Sequence, residues 1–296
     1  MTDLGRSKAM HSMVRRLNAL ENFSTPREFI DTANAIGQSE DRRFANIVER
    51  SHSLQALRDA PSLSALRLQS EVRHARLYST PGTSRQRLLI AFAGAAQRLM
   101  MPLPIFMQAL PANTDLLILY DPLNNHYRRG IWDGDHTLRD LASIMAPIIG
   151  GYDDTIALGT SSGGLPALRF SKLFGLRRGL SFGGRLIDDT LRILRREILP
   201  PAYDPLCACD DLQNTEVILI HAADNAQDAL AARCAAVAAN SRRISLAGRS
   251  NHSVLWDVQC MERLPDLLEM AFSASASTLN DSLCKWSASD LAATRT

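Results

Sequence analysis

The sequence predicts an α/β fold in which a mostly parallel sheet is covered by helices on both faces and preceded by a helical N-terminal segment. Three observations carry this expectation. After residue 86, short unbroken apolar runs alternate with helical stretches, the pattern of strands buried on both faces. Residues 1–80 instead repeat their apolar positions every three or four residues, as amphipathic helices do. A glycine-rich turn at 159–164 follows one of the apolar runs and precedes a helical stretch.

In the N-terminal segment, Phe29, Ile30, Ala33 and Ile36 share one helical face, as do Phe44 and Ile47, then Leu54 and Leu57. Pro26 after Ser24-Thr25, with Glu28 behind it, is a helix-start signal. Residues 79–84 (Ser-Thr-Pro-Gly-Thr-Ser) form a turn-rich link. Leu88–Phe92 and Leu116–Tyr120 are strands, with a helix near 105–110 between them. A helix over 138–149 ends at Gly150-Gly151. Thr155–Leu158 is a strand and 165–174 a helix. Gly179–Phe182, Val217–Ile220 and Arg243–Leu246 are further strands, Asp228–Ala239 an alanine-rich helix, and 254–270 a final helix. The domain plan is a helical extension or small helical domain over 1–80, an α/β core over 81–272, and a loosely ordered Ser/Ala/Thr-rich tail over 273–296 in which Trp286 is the residue that would dock.

Bulk properties narrow the function. A net charge of +2 makes no strong field for nucleic acid or an anionic membrane. The longest apolar run, 88–96, is far short of the ~20 residues that span a bilayer, and the N-terminus lacks the apolar stretch of a secretory signal. The expectation is a soluble, cytoplasmic protein. Five cysteines at irregular spacing (Cys207, Cys209, Cys234, Cys260 and Cys284) argue against a disulfide framework. Cys207 and Cys209 beside Asp210 and Asp211 lack further ligands at zinc spacing, so no metal and no cofactor are expected.

The chemistry-bearing segment is Gly159-Thr160-Ser161-Ser162-Gly163-Gly164, a G-x-S-x-G turn between strand and helix. Such a turn lifts the Ser161 hydroxyl above the sheet edge and sets the free N–H groups of a helix start beneath a developing oxyanion. Pro166, in the first helical turn, is tolerated there. Serine at neutral pH needs a base. His252, between a short strand and a helix in Gly248–Ser253, occupies the place expected for it; His11, His52 and His74 read as solvated and His221 as a core residue. Two carboxylates compete to orient the base, Asp224 and Asp228. The ordinary alternatives are an Asx turn for Asp224 and a helix N-cap for Asp228; a rigid helix start favours Asp228. Asp188 and Asp189 are a more remote choice. For the oxyanion hole the N–H of Ser162 is one donor, and Ala95, with Ala96 second, supplies the other from the Ala93–Ala96 loop. The loop 121–132 follows a strand end, where parallel sheets place ligands; His126, Tyr127 and Trp132 are its substrate-contact candidates, with His136 nearby and Arg128 and Arg129 as charged neighbours.

In their order along the chain (oxyanion loop, elbow at Gly159–Gly163, carboxylate loop at 224–228, then His252) these segments resemble the α/β-hydrolase superfamily over 88–270. The elbow with Leu165-Pro166-Ala167-Leu168 is similar to that of hydrolases from bacterial glycan and secondary-metabolite pathways. The resemblance implies a three-layer α/β-hydrolase sandwich and a serine esterase or thioesterase that acts on a small acyl substrate through a Ser161 acyl-enzyme. An acyltransferase with the same triad is the near alternative. A non-catalytic protein that binds a partner through its N-terminal helices is the distant one. The sequence departs from the family at the oxyanion loop, which has no His-Gly-Gly, and in the lack of recognisable early antiparallel strands before residue 87. The span 183–215 leaves little room for a large lid.

Overall fold

A computed structural model of the chain describes residues 3–38, 41–82, 85–127, 129–131, 138–184, 215–239 and 242–293. Four helices open it: α1 (Asp3–Phe23), α2 (Pro26–Gly37), α3 (Arg42–Glu49) and α4 (His52–Arg58). The start of α2 follows from its sequence. Thr25 Oγ1 accepts from the Glu28 N–H (3.3 Å), Glu28 Oε2 accepts from the Thr25 N–H (2.8 Å), and Pro26 sits where no N–H is needed. Phe29, Ala33, Phe44, Val48, Leu54 and Leu57 close a small core among the helices, to which Ile105 of the main body also belongs.

The helical segment stops at Arg58, earlier than the expected boundary near 80. β1 (Arg67–Val72) and β2 (Ala75–Ser79) form an antiparallel hairpin within the sheet. They supply the early strands that the sequence hides. Every residue of β1 is exposed, and charged residues interrupt both strands, so neither forms an apolar run. The remaining strands are β3 (Arg87–Phe92), β4 (Thr114–Leu119), β5 (Asp154–Thr160), β6 (Arg178–Phe182), β7 (Glu216–Ala222) and β8 (Arg242–Leu246). The eight strands run in the order β1-β2-β4-β3-β5-β6-β7-β8, with β2 antiparallel to β4 and all later pairs parallel.

Helices cover both faces. On one side lie α6 (Leu138–Ile149) and α7 (Gly164–Phe174), with Leu141, Met145, Ala167 and Phe170 packed on Ile90, Phe92 and Ala157. α8 (Ala226–Ala239) lies on the same side and buries Ala232 and Ala235 against Val217 and Leu219. On the other side are α5 (Leu103–Gln108), α9 (Val254–Cys260), α10 (Leu264–Ser273) and α11 (Ala276–Ala293). The expected single helix over 254–270 breaks at Met261–Arg263, where Glu262 takes φ +56° and Pro265 opens α10. The stretch expected to be loose instead forms α11, with Leu279, Leu283 and Ser287 buried and the Ser287 hydroxyl bonded to Ala247 O (2.7 Å). Its apolar residues are few but share one face, so tertiary packing rather than composition orders it. Trp286 packs on the core beneath the Arg263 guanidinium.

The guanidinium of Arg178 is buried at the start of β6. It pairs with Glu216 and donates to Met270 O, Ala271 O and Ala274 O, tying the junction of α10 and α11 to the sheet. A buried charge is tolerable only with such partners. No helix among the described residues is long and apolar enough to cross a membrane.

Candidate active site

β5 runs straight through the sheet to Thr160 (φ −123°, ψ 140°) and then turns abruptly. Ser161 has φ +51°, a left-handed conformation that costs a non-glycine residue energy. A Cβ on Gly159 would lie 2.1 Å from Gly163 O, and one on Gly163 would lie 2.4 Å from Phe92 O. Only glycine fits at either position, which is the physical reason for the G-x-S-x-G spacing. The turn passes through a 3-10 stretch, Ser161–Gly163, into α7.

His252 lies between β8 and α9. Its Nε2 is 2.9 Å from Ser161 Oγ, and its Nδ1 is 2.8 and 2.9 Å from the two oxygens of Asp228. Asp228 is 3% exposed, in the first turn of α8. It is not the cap of that helix: Asn225 Oδ1 accepts from the Asp228 N–H (3.1 Å), leaving the Asp228 carboxylate to His252. Asp224 is exposed, and its N–H donates to Arg249 O (2.9 Å). Of the two carboxylates, the fold therefore brings Asp228 to the imidazole. Asp188 and Asp189 lie outside the described residues. His221, in β7, is buried; burial first and Arg243 second hold its imidazole below the usual pKa.

The second wall is the loop after β3. Gln97 N–H donates to Gly94 O (2.8 Å), which makes Gly94–Gln97 a β-turn with Ala95 and Ala96 at its centre. The turn's own hydrogen bond uses neither central N–H. Gly94 runs so close to the elbow that a Cβ there would sit 3.1 Å from Ser161 Cβ. Ser162, buried, is the middle residue of the 3-10 stretch that follows the turn.

Ser161 and His252 open into a cavity of about 580 Å³. Gly94, Ala95 and Ala96 line it beside the serine; Met100, Met101, Pro102 and Trp256 add apolar surface; Glu21, His52, Ser53 and Arg98 add polar surface. Helices α1 and α4 thus wall the cavity. His52 is exposed, as expected of a solvated residue, and its ring also packs edge-on against Trp256 (centroids 5.5 Å apart). The sequence offered no signal for Glu21, His52, Ser53 or Trp256, since each is far along the chain from the elbow.

The substrate-contact expectations fare differently. Tyr127 is 1% exposed; its hydroxyl donates toward Leu119 O (2.7 Å) and Ala93 O (3.0 Å), and its ring packs on Phe92. It braces the strand ends and does not line the cavity. His126 is also absent from the cavity wall; it and Tyr127 take positive φ in a tight turn held by Asp121. Trp132, His136 and Arg128 lie outside the described residues, as do Cys207, Cys209, Asp210 and Asp211.

No family model and no curated protein sequence matches the chain. Among solved structures, it is similar to Est1E from Butyrivibrio proteoclasticus at 12% identity and TM-score 0.42, over 71% of this chain and 99% of that one. A hormone-sensitive lipase from a metagenome library matches at 12% identity and TM-score 0.47, over 84% and 97%. Carboxyl esterase 2 from the fungus Tuber melanosporum matches at 12% and 0.43, over 72% and 88%. The fold assignment rests on this chain's own topology. With a β1-β2-β4-β3-β5-β6-β7-β8 sheet, a serine on a strained turn after β5, and an acid and a histidine following in that order, the chain has the α/β-hydrolase fold.

Proposed function

We propose that the protein is a serine hydrolase that cleaves small acyl esters or thioesters through a Ser161 acyl-enzyme. The observation that carries this reading is the continuous hydrogen-bonded line Asp228–His252–Ser161, on a strained elbow, facing a cavity of about 580 Å³. In this reading His252 takes the Ser161 proton as Oγ attacks the acyl carbon, and Asp228 stabilises the imidazolium. The N–H groups of Ser162 and Ala95 receive the developing oxyanion. Collapse of the tetrahedral adduct expels the alcohol or thiol, which leaves with the proton from His252. Water, activated by the same imidazole, then releases the acid. Met100, Met101, Pro102 and Trp256 would take the apolar part of the substrate. An alcohol or amine replacing water would make the same machinery an acyltransferase.

Labelling purified protein with a fluorophosphonate, followed by peptide mapping, tests this. The expected adduct is on Ser161, absent in Ser161→Ala and slowed in His252→Ala. Folded protein that gives no adduct, and no turnover of p-nitrophenyl acetate, overturns the reading.

A further inference from the structure

α1 presents Asn18, Glu21 and Asn22 at intervals of three and four, so they share one helical face. That face meets the oxyanion turn. Glu21 Oε2 accepts from Arg98 Nη2 at 2.6 Å, Asn18 Oδ1 accepts from Arg98 Nη1 at 3.4 Å, and Asn22 Nδ2 reaches Ala96 O at 3.5 Å. The grip is braced from behind. Ser53 in α4 donates to Glu21 Oε1 (2.7 Å), and the Tyr120 hydroxyl donates to Asn22 O (3.1 Å).

Arg98 is the joint. Its carbonyl accepts from the Gly94 N–H (2.8 Å), at the start of the oxyanion turn, and from Thr160 Oγ1 (3.2 Å), on the residue before the nucleophile. One residue therefore links α1, the turn that carries Ala95, and the elbow. The segment that carries Arg98, from the end of the turn onward, also needs an external hold. Gln97 and Met100 both have positive φ (+55° and +62°), which non-glycine residues keep only where their surroundings impose it. The Glu21 and Arg98 side chains are 12% and 26% exposed, so their attraction is less screened than that of a surface pair.

We propose that Glu21 and Arg98 are positioning residues: their ion pair, mounted on α1, holds the Gly94–Gln97 turn so that the Ala95 N–H aligns with that of Ser162 on the oxyanion. This rests on the acyl-enzyme reading. A misaligned donor weakens binding of the transition state while leaving ground-state binding nearly untouched, so the effect belongs in kcat.

The test uses full-length Glu21→Gln, Arg98→Lys, Arg98→Met and the double variant Glu21→Gln/Arg98→Met, with p-nitrophenyl acetate as substrate. Active sites are counted by fluorophosphonate titration, thermal melting reports the fold, and an aliphatic trifluoromethyl ketone probes transition-state affinity. The expected result for Arg98→Met is a loss in kcat per titrated site of about 10–100-fold, below the ~10²–10³ of deleting a donor outright. KM should stay within about twofold, ketone affinity should fall in step with kcat, and Arg98→Lys should recover part of the loss. The double variant should be no worse than the worse single one, since the pair acts as a unit. If Arg98→Met fails to fold, the near-isosteric Glu21→Gln and Arg98→Lys carry the test. Wild-type kcat per site in the folded variants, or a loss confined to KM with ketone affinity unchanged, overturns the positioning role alone. Wild-type protein with neither labelling nor turnover overturns the acyl-enzyme reading beneath it.

Discussion

Asp228 holds His252 Nδ1 between its two carboxylate oxygens, at 2.9 and 2.8 Å, while the same imidazole points Nε2 at Ser161 Oγ. A carboxylate so placed fixes the tautomer with hydrogen on Nδ1. Asp228→Asn should leave the fold intact and lower kcat by about 10³–10⁴-fold, because an amide cannot stabilise the imidazolium and favours the wrong tautomer. Asp224→Asn should leave p-nitrophenyl acetate turnover near wild type, since Asp224 is exposed and the carboxylate bonded to the imidazole is that of Asp228. Steady-state kinetics of the two variants decide between them; equal losses would remove the distinction drawn from the geometry.

The φ of +51° at Ser161 predicts a stability signature as well as a catalytic one. Ser161→Ala and Ser161→Gly should both abolish turnover, but only glycine relieves the left-handed strain, which is worth about 1 kcal/mol. Ser161→Gly should therefore melt about 2–4 °C above Ser161→Ala in a chain of this size. A Tm for the glycine variant at or below that of the alanine variant would show that the elbow stores no strain.

Gly163→Ala should not give soluble folded protein. Its Cβ would meet Phe92 O at 2.4 Å and Ala93 O at 2.7 Å, both main-chain atoms at the end of a central strand that cannot give way. Gly37→Ala is the control: nothing lies within 4 Å of a Cβ at the end of α2, and helix propensity favours alanine by about 0.5–1 kcal/mol. Circular dichroism of both variants checks the contrast, and a well-folded Gly163→Ala protein would count against the described turn.

His221 should make stability fall on mild acidification. Burial and the nearby Arg243 hold its pKa below the ordinary imidazole value in the folded chain, with Asp228 opposing them weakly. The unfolded chain takes up a proton near pH ~6.5, whereas the folded one does so only at lower pH. Between those points the unfolded state binds more protons, so stability rises with pH and is lost as pH drops below about 6.5. His221→Gln should flatten the Tm profile between pH 7.5 and 5. A slope unchanged by that substitution would assign the acid sensitivity elsewhere.

Several features of this fold can be read directly along the chain. The capping box at Thr25 and Glu28, the unbroken apolar strands of the parallel region and the glycines flanking Ser161 all depend on interactions within a few residues, or on burial strong enough to exclude polar side chains. The β1–β2 hairpin was not legible because an exposed edge places no demand for apolar runs. α11 was missed because its ordering comes from burial of Leu279 and Leu283 in the main core and from the Ser287 bond to Ala247 O, just past β8, rather than from its own composition. Tyr127 was misread because an aromatic residue in a polar loop looks the same in sequence whether it faces a ligand or, as here, the undersides of β3 and β4.

Sequence alone determined the nature of the turn at Ser161: steric exclusion of any Cβ at residues 159 and 163 is a local constraint, and local constraints leave a local mark. Tertiary structure decided which acid serves His252 and which walls enclose the serine. Asp224 and Asp228 are four residues apart and chemically identical, and only the cap made by Asn225 and the rotation of α8 turn one of them inward. Glu21, Ser53, Arg98 and Trp256 come from four separate segments and meet around one cavity because hydrophobic burial draws their helices and loops onto the sheet. That burial is non-directional and acts across the whole chain, so it leaves no short motif by which such a meeting could be foreseen.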